Sequence, residues 1–162
     1  ISRGLVGSEM CIRDRSDLIY FVEDDYLHYD HSLVDMLDTY ERISSQHKDE
    51  IIVCPSDYPF NYMTNEKTNI LIGSQQHWRI ITRMLCTFMI SKKMFQKHIN
   101  NFEKTCEKRH DPFEKYLNEI LQKEIAISPI KSLAIHLTNI NSSYGLSPFI
   151  DYKKLWDENK IK

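Results

Sequence analysis

The feature that most limits how this chain can fold is a five-residue apolar run, LIYFV at residues 18–22, that leads straight into Glu23, Asp24 and Asp25. A short continuous run rich in strand formers and bounded by polar residues reads as a strand buried on both faces. The three acids then stand at its C-terminal end, the edge of an open α/β sheet where ligands bind. Adjacent carboxylates repel, and taking them out of water is costly unless a cation compensates. Side chains alternate along a strand, so Glu23 and Asp25 share a face and Asp24 takes the other, unless the chain turns there. Hard oxygen ligands of this kind suit Mg²⁺ or Mn²⁺. The plain alternative is a solvated acidic turn.

The remaining pattern is that of a mixed α/β layer. Asp30 is positioned to cap a helix over residues 31–45, whose apolar stripe is Leu33, Val34, Met36, Leu37, Tyr40 and Ile43. Residues 51–54 read as a second buried strand, ending in the turn-rich PSDYP. Residues 69–72 and 78–82 read as strands around Gly73-Ser74, and 85–90 as another. Ser91 caps a helix carrying Met94, Phe95, His98, Ile99 and Phe102. Asp111, Pro112 and Glu114 make a cap, a first helical residue and a capping-box partner for the next helix. Residues 124–128 and 131–137 suggest short strands around Pro129, and 151–156 a closing helix.

With 162 residues, 41% hydrophobic and 27% charged, the chain fits one domain with a sizeable core. The formal charge of -2 is spread along the chain with no basic block, which argues against a nucleic-acid partner. No apolar stretch approaches the roughly 20 residues of a transmembrane helix, so the expectation is a soluble chain with no transmembrane segment. Cys11, Cys54, Cys86 and Cys106 are widely spaced and include no CxxC, which reads as reduced thiols in a cytoplasmic setting. Walker, GxGxxG, GxSxG and HExxH motifs are absent. Residues 1–15, ISRGLVGSEMCIRDR, resemble a translated sequencing-adapter artefact and are set aside as an artefactual or disordered extension.

YFVEDDYLH, CPSDYPFNY, GSQQHWR, LCTFMIS, HDPFEKYL, SPIKSLAIHL and LSPFIDY occur in the order found in glycosyltransferases of the GT-A fold. The resemblance is to a family-two-like subset and spans residues 17–156. It implies that residues 16–162 are the C-terminal part of a GT-A catalytic domain, and that its nucleotide-base pocket comes from strands preceding residue 16. The piece by itself is then expected to bind donor weakly or not at all. The implied reaction moves a sugar from a nucleoside-diphosphate donor to a hydroxyl acceptor, with inversion as the expected stereochemistry. The implied metal ligands are Glu23, Asp25 and His136, with Asp24 facing the donor. The implied general base is Asp111, or Glu114 in its place, and Asp57, His77, Trp78 and Arg79 face donor or acceptor.

Each of these residues has a plainer reading. His136 could be an ordinary loop histidine, Asp111 a helix cap, Trp78 a core side chain and Asp57 a turn stabiliser. Two rival functions stay open: another metal-dependent phosphoryl or nucleotidyl transferase, and a non-catalytic carbohydrate-binding domain.

Overall fold

The computed structural model describes residues 8–13, 16–107, 113–142, 145–148 and 150–160, with side chains from residue 18 onward. In chain order the strands are β1 (Ser8–Arg13), β2 (Ser16–Phe21), β3 (Tyr26–His28), β4 (Ile51–Val53), β5 (Ile70–Ile72), β6 (His77–Ile81), β7 (Phe88–Ser91), β8 (Ile125–Pro129) and β9 (Ala134–His136). The helices are α1 (Ser32–His47), α2 (Lys92–Lys97), α3 (Ile99–Glu107), α4 (Lys115–Ile120) and α5 (Tyr152–Glu158). Short 3₁₀ turns cover Pro59–Tyr62 and Leu137–Asn141.

Seven strands form one sheet in the order β1-β2-β7-β4-β8-β6-β5, and β3 pairs with β9 in a separate two-stranded sheet. Among the described strands β4 and β8 run parallel and the other neighbours antiparallel. The chain is therefore α/β with a mixed sheet. Among the residues whose side chains are described, side chains alternate between the two faces of the large sheet. Leu18, Ile51, Val53, Trp78, Met89 and Ile127 pack on one face against Met36, Tyr40 and Ile43 of α1. Phe21, Ile52, Phe88, Ile90 and Ala126 pack on the other face against Met94, Phe102, Leu117 and Ile120 of α2 to α4. Each fully buried side chain of this size contributes about 1.5–3 kcal/mol, so the two helical layers account for strands that are apolar at nearly every position.

Several expected boundaries moved. Asp30 does not cap α1: the residue before the helix is His31, no side chain caps it, and Asp30 is exposed. The Ser32 hydroxyl instead donates to the Leu133 carbonyl, tying the helix start to the chain before β9. Ser91 does cap α2, accepting the Met94 N–H at 3.1 Å, and Asp151 caps α5, accepting the Lys154 N–H at 3.1 Å. The expected helix start at Pro112 is corrected, because α4 begins at Lys115 with Glu114 as its cap residue. Asp111 and Pro112 lie outside the described residues. The segment set aside as adapter-like includes β1, which pairs antiparallel along the whole of β2. An unpaired strand edge is a template that any extended segment can occupy.

Gly73 has a steric reason to be glycine. A Cβ there would sit 2.3 Å from the indole of Trp78, which is fully buried across the turn between β5 and β6. The same turn is closed by the Gly73 N–H donating to the Gln76 carbonyl at 2.9 Å.

Candidate functional site

β2 ends at Phe21, and Asp24 and Asp25 form a turn that carries the chain from the large sheet into β3 of the small one. The three acids are thus distributed by a turn rather than by strand alternation. Glu23 stays attached to the large sheet: its N–H donates to the Thr87 hydroxyl at 3.0 Å, and that hydroxyl lies 3.5 Å from the Glu23 carboxylate. Burial, then the charges of Asp25 and Glu114, push the Glu23 carboxyl up to about 7, against weaker opposition from Thr87 and the Cys86 backbone. Asp24 is exposed.

Asp25 belongs to the small sheet. Its carbonyl accepts the Leu137 N–H at 2.9 Å. Its Oδ2 meets His136 Nε2 at 2.8 Å, across 111 positions of sequence. The Thr138 hydroxyl donates to the same Oδ2 at 3.1 Å and lies 3.1 Å from His136 Nε2. The Asp25 side chain is 39% exposed and that of His136 18%, so solvent and small ligands reach both. The structure therefore brings Asp25 and His136 together, sets Glu23 within electrostatic reach, and brings in Glu114 from the start of α4.

Glu23 and Asp24 line a cleft of about 520 Å³ that also takes in Tyr20, His28, Asp30 and Asn159. The Tyr20 hydroxyl and His28 Nε2 are 2.5 Å apart, and burial pushes His28 down to about 4, so the imidazole is neutral at physiological pH. The cleft wall carries carboxylates and neutral polar groups, and no Lys or Arg side chain is among the residues lining it.

Asp57 and Arg79 are placed differently. They form a buried ion pair with each other. The Tyr62 hydroxyl donates to Asp57 Oδ2 at 2.7 Å, the Ser147 hydroxyl approaches the same oxygen at 2.8 Å, and the Tyr62 ring covers the guanidinium at 4.1 Å. Burial pushes the Asp57 carboxyl up, and Tyr62, Ser147 and Arg79 oppose it. Arg79 is thus engaged within the protein. Trp78 has no accessible surface, so it takes the core-packing role and offers no face to a sugar. His77 is exposed on β6. Four strand steps separate β2 from β6 in the sheet order, roughly 19 Å at ~4.8 Å per step. The HWR segment and the acidic turn are accordingly separate places. Asp57 does approach the other site from behind, since it and His136 both border a void of about 10 Å³, the size of one water.

Thr87 and Thr138 carry no sequence signal for these positions. Each contacts an acid 64 or 113 residues away, a distance only the fold closes. Asp111, the expected base, lies outside the described residues, while Glu114 is half-buried at the start of α4.

Among the described residues no group of three or more His, Cys, Asp or Glu side chains lies close enough together to hold a metal ion. The donor set that does form is a carboxylate oxygen against an imidazole nitrogen, beside a second carboxyl whose ionisation is opposed by burial and then by its charged neighbours. Small hard cations are commonly held by one or two carboxylates with the rest of the sphere supplied by water and substrate phosphates. Carboxylate oxygens are the donor type that suits Mg²⁺ or Mn²⁺, while imidazole nitrogen also suits Zn²⁺ and other transition metals. Among the described residues no helix is long and apolar enough to cross a membrane. Compared with models of known protein families, with curated proteins and with solved structures, the chain matches none.

Proposed function

We propose that this chain carries the metal and diphosphate side of a GT-A-type glycosyltransferase, acting on a nucleoside-diphosphate sugar donor and a hydroxyl acceptor with Mn²⁺ or Mg²⁺. The observation that carries the reading is the meeting of Asp25 and His136 at 2.8 Å, at the end of the strand that the acidic motif terminates. Asp25 and His136 would hold the cation, with Glu23 beside them. When bound, the cation would neutralise the diphosphate leaving group as the glycosidic carbon–oxygen bond breaks.

The chain's own residues prepare this. Thr138 orients the Asp25 carboxylate through Oδ2, and Thr87 holds the Glu23 backbone. The Glu23, Asp25 and Glu114 charges are mutually unfavourable until a cation compensates them. The cleft beside Glu23 and Asp24 has the volume of a small-ligand site. For acceptor activation, Asp111 or Glu114 is the proposed proton acceptor, and the electrostatic proximity of Glu114 to Glu23 favours the latter.

Calorimetry of Mn²⁺ binding, with and without UDP, on the chain and on Asp25→Ala tests this. Binding that UDP strengthens and the substitution abolishes is the expected result. A folded chain whose Mn²⁺ binding is indifferent to both UDP and Asp25→Ala would overturn it.

A further inference from the structure

Two buried phenols lie between the two halves of the acidic site. Tyr26 is 8% exposed and Tyr58 fully buried. Tyr26 is the cross-strand partner of His136 in the small sheet. The Leu137 N–H to Asp25 carbonyl bond brackets this pair and leaves it non-hydrogen-bonded, the arrangement in which facing side chains approach most closely. The two rings stack with centroids 4.8 Å apart and planes 12° from parallel. Behind the stack, the Tyr26 hydroxyl donates to the Tyr58 hydroxyl at 3.4 Å, and that of Tyr58 to the Thr87 carbonyl at 3.4 Å. Thr87 is the residue that holds the Glu23 N–H.

We propose that Tyr26 is a positioning residue for His136. Its ring is the platform that holds the imidazole with Nε2 toward Asp25. The inference rests on the reading that Asp25 and His136 act together. The polar contacts to the ring, from Asp25 and Thr138, both converge on Nε2 and leave the ring plane free to pivot about that corner. The terminal torsion of histidine is broad, so a flat neighbour is what restricts it. The phenol hydroxyls are long hydrogen bonds and weak ones. The aromatic face of Tyr26 therefore matters and its hydroxyl does not.

The test is side-chain NMR of His136 in the metal-free chain, above the imidazole titration range, with the signals assigned through His136→Gln. Wild type and Tyr26→Phe are expected to show one His136 tautomer and ring protons shifted upfield by the stack. Tyr26→Leu is expected to lose that upfield shift and to average the tautomers. Loss of an outer residue that orients a ligand costs about 10- to 100-fold in metal affinity, which is the expected weakening of Mn²⁺ binding in Tyr26→Leu, with Tyr26→Phe close to wild type. Circular dichroism establishes that each variant folds, and Tyr26→Met replaces Tyr26→Leu if the latter does not. A wild-type His136 tautomer pattern in the leucine or methionine variant would overturn the proposal. Failure of wild type to bind Mn²⁺ would instead remove the glycosyltransferase reading, while the metal-free ring signals still decide the role of Tyr26.

Discussion

The acidic turn after β2 and Asp57 after β4 start from the same position in the fold, a carboxylate just beyond the end of a buried strand, and end in opposite states. Asp57 is buried with its own cation: Arg79 pairs with it, and Tyr62 and Ser147 occupy its second oxygen. Among the described residues, no Lys or Arg forms an ion pair with Glu23 or Asp25; Asp25 pairs with the His136 imidazole. Burial, with further negative charge from Asp25 and Glu114, pushes the Glu23 carboxyl up to about 7. A carboxylate supplied with an internal cation is a structural joint. Carboxylates massed without one, at an accessible edge, are relieved by keeping a proton or, on the proposed reading, by a cation from outside.

The largest expected effect comes from breaking the internal joint. Arg79→Met should destabilise the chain by about 3–5 kcal/mol in urea denaturation, because it leaves a buried carboxylate without its partner. A loss below about 1 kcal/mol would put Asp57 in the same class as the acidic turn and end the contrast.

The acidic turn makes the opposite prediction. Glu23 ionises near 4.5 in the unfolded chain and near 7 in the folded one, so the folded state keeps the proton longer. Stability should therefore fall as pH climbs through that window. Glu23→Gln should remove this fall and gain on the order of 1–2 kcal/mol above neutral pH, after allowance for solvent screening. Saturating Mn²⁺ should offset the same fall in wild type. Chemical denaturation across pH, with and without Mn²⁺, measures both, and a wild-type stability flat from pH 4.5 to 7 would contradict the charge argument.

Ser147→Ala should cost about 1 kcal/mol in the same assay, since Arg79 and Tyr62 continue to satisfy Asp57. Asp25→Ala should change stability least, within about 1 kcal/mol, because its pair with His136 is partly solvated. It should nevertheless abolish Mn²⁺ binding. A variant in which stability and Mn²⁺ binding fell together would show that the Asp25–His136 contact is a joint like Asp57–Arg79.

Much of this was legible in the residues. The strand through residues 18–21, its burial on both faces, the acids beyond its end, the Ser91 cap, the closing helix and the mixed α/β layering all follow from apolar runs and capping chemistry, which are local properties. The candidate pair Asp25 and His136 was also nameable, through the order of motifs. The cap at Asp30 was not, because a cap signal in sequence competes with tertiary ties such as that of Ser32 to Leu133. HWR was open to two readings until the fold gave Trp78 to the core and Arg79 to Asp57.

The chain by itself determined which segments are apolar enough to be strands and where carboxylates must collect. Which of those carboxylates meets a cation within the protein was decided only by tertiary structure. Residues 125–137 show why: one stretch reads as two similar strands around a proline, yet β8 enters the large sheet and β9 leaves it to pair with β3. That choice depends on which open strand edge each segment finds, a long-range hydrogen-bonding outcome that local pattern does not encode. It is what carries His136 to Asp25.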